Sequence, residues 1–108
     1  MESTSPFLAM QRAESHIKAL LRSADTEQLN PAERKAAASL RRLAVDSRLD
    51  IRDYELSEAR EDQLKCAVAA KKQLVKLREA VLAVGSLFSP VDVAQLTAQL
   101  EQIEGWVR

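Results

Sequence analysis

The chain has 108 residues, with 16 basic and 16 acidic side chains, 46% hydrophobic residues, two glycines, three prolines and one cysteine. That length fits one domain. The composition is too apolar for a disordered chain, too poor in Gly and Pro for a turn-rich all-β fold, and its single Cys excludes an intramolecular disulfide framework.

Each proline follows a residue suited to cap a helix: Ser5-Pro6, Asn30-Pro31 and Ser89-Pro90. Proline is pre-set for the first helical position, where its missing N–H has no partner to lose. The Ser or Asn oxygen before it can accept from an amide two or three residues into the helix. The prolines therefore predict three helix starts.

A first helix is predicted over residues 6–23, with Met10, Ala13, Ile17, Leu20, Leu21 and Ala24 in one apolar stripe. Residues 24–30 are polar and read as a loop. A second helix begins at Pro31. Glu33 completes a capping box with Asn30, and Ala32, Ala36, Leu40 and Leu43 form its inner stripe.

This second helix has no Gly or Pro to stop it before residue 84. An unbroken helix over 31–84 would be about 80 Å long, against a radius of gyration of about 13 Å for a compact domain of this size. A break is expected between Asp46 and Asp53, where Asp46, Ser47, Asp50 and Asp53 all favour caps over helix interiors. The second and third helices are thus placed at 31–48 and 53–84; the alternative joins them as one long bent helix.

The third helix carries the most regular pattern. Ala67, Ala70, Leu74, Leu77, Val81 and Val84 follow a heptad spacing. Beside this seam lies a second stripe, Leu64, Val68, Val75 and Leu82. Two stripes imply two neighbours. Either this is the central helix of a bundle, or one stripe serves the domain and the other a partner or second copy. The seam residues are the candidate interface, with Ala67 and Ala70 allowing close approach.

Gly85 reads as the residue just past this helix. The fourth helix is predicted over 90–104, with Asp92 at the positive end of its dipole and Phe88 and Val93 as a hydrophobic staple. Val93, Leu96, Leu100, Ile103 and Val107 form its inner face, and Gly105 reads as its end. Trp106, the only tryptophan, either closes one end of the bundle or anchors a partner. Phe7 poses the same choice.

The expected fold is all-α: a four-helix bundle-like single domain over 6–108, behind a flexible start at 1–5. The start has no cationic region followed by an apolar stretch, and no apolar run nears the ~18 residues of a membrane span. A cytoplasmic protein without a transmembrane segment is expected.

The zero net charge conceals blocks. Residues 31–49 carry five basic and two acidic groups, 50–62 two basic and six acidic, and 63–84 five basic and one acidic. The acidic start and basic end of the third helix suit its macrodipole. Arg34, Arg41 and Arg48 recur every seven residues away from the apolar stripe of the second helix. Lys35 and Arg42 flank them, and Arg52 continues the face. This basic face is a candidate site for an anion, an acidic protein or nucleic acid; otherwise it is a solvated face. No aromatic interleaves with it, and the overall pI near 6.6 is far from that of a basic nucleic-acid binder.

Catalytic chemistry finds little material. His16 is the only histidine, and Cys66, beside the seam, reads as a small buried hydrophobe. Asp50, Asp53, Glu55, Glu58, Glu61 and Asp62 lack the Glu-x-x-His pattern of a bundle di-metal site and read as an acidic helix start. Two glycines cannot build a phosphate-cradling loop. No catalytic residue, metal, cofactor or small-molecule substrate is expected. The leading expectation is a non-enzymatic module for protein–protein interaction or self-association; the alternative is a nucleic-acid-binding regulator using the second helix.

Overall fold

The computed structural model describes residues 5–23 and 29–107. The expected flexible start lies outside the described residues apart from Ser5, and the expected loop apart from Leu29 and Asn30. Four helices form: α1 (Pro6–Ser23), α2 (Pro31–Leu56), α3 (Arg60–Ala83) and α4 (Pro90–Trp106), with a short 3-10 turn at Gly85–Leu87.

All three proline-marked starts are as expected. Ser5 Oγ accepts from the Leu8 amide at 3.1 Å. Asn30 and Glu33 form the reciprocal capping box. Ser89 Oγ accepts from the Asp92 amide and donates to its carboxylate. The start of α1 gains a further cap from across the chain: Glu55, near the end of α2, accepts from the Phe7 amide at 3.1 Å. A carboxylate there meets the positive end of the α1 dipole. One member of the acidic block thus serves a different helix start from the one expected.

The helices pack as a ring in which α1 meets α2, α2 meets α3, α3 meets α4, and α4 closes on α1. One core cluster unites Met10, Ile17, Leu40, Ile51, Leu74, Leu77, Leu96 and Leu100, all fully buried. The radius of gyration is 14.3 Å, which the single long helix could not give.

The break between α2 and α3 falls later than expected. α2 runs through Asp46, Ser47, Asp50 and Asp53 to Leu56, and the chain reverses over Ser57–Ala59. Magnitudes explain why. The helix-propensity cost of those four residues sums to about 2 kcal/mol. Burying Ile51 returns about 1.5–3 kcal/mol, and Tyr54 packs against the core one turn later. The helix stops where inward apolar residues run out and Ser57 intervenes. The Ser57 amide closes the last rung of the ladder on the Asp53 carbonyl at 3.1 Å, and the Ser57 hydroxyl donates to the same oxygen at 2.7 Å. Such a local bond competes with the helix ladder. No glycine is needed, because Ser57 and Ala59 are both extended at ordinary negative φ.

Ala59 is the N-cap of α3 and offers no side-chain bond. Ala59→Ser should stabilise the fold by about 1 kcal/mol, read as a raised urea midpoint at unchanged slope. An unchanged midpoint would mean that α3 starts elsewhere.

The end of α4 also differs from expectation. Gly105 lies inside the last turn, and the helix continues to Trp106 with Val107 as its cap. Val107 is fully buried, whereas Trp106 is 39% exposed. Burial of Val107 draws the helix two residues beyond the expected end. Val107, not Trp106, packs into the core there.

Candidate functional site

The seam of α3 is core. Ala67, Ala70, Leu74, Leu77, Val81 and Val84 are all buried in the cluster shared by the four helices. As placed, they cannot offer a partner a surface, which corrects their selection as a candidate interface. Their heptad spacing serves contact with α2 and α4 in the same chain. The neighbouring stripe turns outward. Leu64, Val68 and Leu82 are 46%, 57% and 58% exposed, and Val75 is half-buried. The sequence shows two stripes of similar character, and nothing local to α3 says which faces the core.

The outward stripe is bordered by cations. Val68 and Val75 line a shallow cleft of about 460 Å³ together with Lys71, Lys72 and Lys76. These lysines sit in the middle of α3, whose last turn has no basic residue. Dipole stabilisation reaches only the terminal turns, so it does not account for them. The acidic first turn, Glu61 and Asp62, does suit the dipole. Arg78 points to α4 instead and pairs with Glu101 and Glu104 at 3.4 and 3.3 Å.

The basic face of α2 is divided. Arg34, Lys35, Arg41, Arg42 and Arg52 are exposed, but Arg48 is half-buried. Its Nε donates to the Glu14 carboxylate of α1 at 2.6 Å, and Lys18 Nζ donates to the other oxygen at 3.0 Å. Arg48 is therefore an interhelical clamp, a correction to its place among the anion-binding candidates. Arg52 lies 3.9 Å from Asp53. Arg41 lines a cleft with Lys18 and Arg22 of α1. The i, i+7 spacing of Arg34, Arg41 and Arg48 cannot reveal that the third member meets a buried acid from another helix.

Burial pushes the Glu14 carboxyl upward, but the hydrogen bonds and charges of Lys18 and Arg48 outweigh it and hold the group below its ordinary value of 4.5. A depressed carboxylate stabilises the fold above its unfolded pKa, and that contribution is lost as pH falls through the folded value. Glu14→Gln should cost about 1–2 kcal/mol at pH 7, because both cations reach solvent. The deficit relative to wild type should shrink as pH falls below about 4.5. Urea unfolding at pH 7 and pH 3 measures this; a deficit equal at both would show that the ion pair adds nothing.

Cys66 shares a small cleft between α2 and α3 with Asp50, Asp53 and Lys65, and the one histidine lies on another helix. His16 of α1 faces Asp92 of α4 at 3.8 Å. Cys66 of α3 is half-buried, its Sγ 3.5 Å from Ser57 Oγ. Burial, with Asp53 and Asp46 nearby, raises the Asp50 carboxyl, and a hydrogen bond with Gln73 opposes that shift. Among the described residues, no three His, Cys, Asp or Glu side chains are grouped to hold a metal ion. None of the described helices is long and apolar enough to cross a membrane.

Trp106 borders a separate cleft between α1 and α4 with Ala9, Arg12, Gln99, Gln102 and Ile103. Phe7 is half-buried and packs against the core. The outward stripe of α3 extends about 27 Å from Leu64 to Leu82 at helical rise, with Lys71 between Val68 and Val75. Compared with known protein families, curated proteins and solved structures, the chain matches none of them.

Proposed function

We propose that this chain is a non-enzymatic protein-interaction module that docks its partner on the outward face of α3. The observation that carries this reading is the exposed stripe of Leu64, Val68 and Leu82 with Val75. Water-exposed apolar side chains aligned along one helix are the usual mark of an interaction surface. A neighbouring helix laid along them would bury Leu64, Val68, Val75 and Leu82, at i, i+4, i+11 and i+18. Behind the stripe one core cluster joins all four helices, so the face is presented on the folded bundle.

The nucleic-acid alternative has less support. It keeps five exposed cations on α2, loses Arg48 to Glu14, and has no aromatic platform among them.

Val68→Asp tests the reading. At 57% exposure, this change should alter stability by no more than about 0.5 kcal/mol. Proteins retained from native-host extract by the wild-type chain should be lost by this variant and kept by Arg42→Glu, as read by quantitative mass spectrometry. Retention of the same proteins by all three chains would overturn the assignment of the α3 face.

A further inference from the structure

We infer that the occupant of the α3 face is an acidic amphipathic helix belonging to a partner protein; this rests on the docking reading above. Lys71, Lys72 and Lys76 line the same cleft as Val68 and Val75; of the five basic groups in residues 63–84, Lys65 pairs with Glu61 and Arg78 with α4, which leaves these three beside the one acid, Glu79. No ion pair within the chain uses Lys71, Lys72 or Lys76 among the described residues. They stand beside apolar side chains mid-helix, where neither the dipole nor a packing contact calls for positive charge. A ligand with carboxylates flanking an apolar stripe satisfies both features at once.

A second copy fits this face less well. The stripe from Leu64 to Leu82 has its midpoint at residue 73, so Lys71 and Lys72 lie beside the centre. An antiparallel two-fold pairing of α3 about residue 73 sets Lys72 two residues along the axis from its own copy and Lys71 against Val75 of that copy. A parallel two-fold pairing sets Lys71, on the line between Val68 and Val75, against its own copy. Either arrangement collects like charges where the apolar contact should form.

A lipid surface also fits this face less well than a helix does. Interfacial helices carry Trp, Phe and Leu on the inserted face. The stripe has two valines at its centre, and α3 has no aromatic residue. The length of the stripe fits a partner helix of about 18 residues.

A displayed library of helical peptides tests this directly. Apolar residues occupy the i, i+4, i+7 and i+11 positions, and Glu or Lys occurs at equal odds elsewhere. The library is selected on the full chain. Enriched peptides should favour Glu, bind wild type about tenfold more tightly than Val68→Asp, and weaken as salt rises. Lys71→Glu with Lys72→Glu should reverse the preference toward Lys. Enrichment that depends on Val68 but shows no excess of Glu overturns the acidic partner and leaves the docking face standing. No peptide whose binding depends on Val68 overturns the docking face itself. Light scattering of the chain alone, and sedimentation with phosphatidylcholine/phosphatidylserine vesicles, cover the other occupants. A dimer or vesicle binding abolished by Val68→Asp would give the face to a second copy or a membrane and overturn the proposal.

Discussion

Leu74→Asp should abolish the fold. Leu74 is fully buried at the centre of the cluster joining the four helices. Truncating such a leucine costs about 2–5 kcal/mol through lost transfer energy and the remaining cavity. Aspartate adds a carboxylate with no cation to pair with it, and an unpaired buried charge costs several kcal/mol more unless it stays protonated. Domains of this size are stable by about 5–15 kcal/mol in total. The expected result is loss of the helical circular dichroism signal and of a cooperative melt at neutral pH. Val68→Asp, six residues earlier on the same helix, should retain both. This contrast fixes the rotation of α3 about its axis. If Leu74→Asp melts like wild type, or Val68→Asp unfolds, the inward and outward stripes have been exchanged.

Arg52→Pro should cost about 3 kcal/mol or more, although the side chain it replaces is exposed. Residue 52 lies inside α2, four residues before its end at Leu56. Proline there removes an i to i−4 hydrogen bond and drives its ring against the carbonyl of residue 48. A helix ending at residue 48 would tolerate it. Arg60→Pro is the matched control. Position 60 opens α3, and Ala59 before it is extended at φ −78° and ψ 132°. That conformation suits a residue preceding proline. This variant should be neutral or stabilised by up to about 1 kcal/mol. The two urea midpoints should therefore move in different directions or by very different amounts. Comparable losses would place the turn elsewhere.

These variants mark the division between what was legible along the chain and what was not. Helix starts were legible because their chemistry is local. A capping oxygen and its amide lie within three residues of each other, so Ser5, Asn30 and Ser89 make the expected bonds whatever surrounds them. Most of the apolar stripes were legible too, since helical periodicity alone places Met10 with Ile17 and Leu96 with Leu100; Ala32, read on the inner stripe of α2, is exposed because it stands in the first turn ahead of the buried residues, which begin at Leu40.

Helix ends were less legible, because they depend on what the next turn can bury. Ile51 against the core carries α2 past four residues that favour stopping, and Val107 carries α4 past Gly105. The candidate site follows the same division. Residue order is enough to put two apolar stripes and a run of lysines on α3, and arginines at seven-residue intervals on α2. The folded neighbours settle which stripe is buried and that Arg48 belongs to Glu14. Periodicity specifies which residues share a face. Which face becomes interior is a choice among neighbours supplied by distant parts of the chain, and it is made by packing.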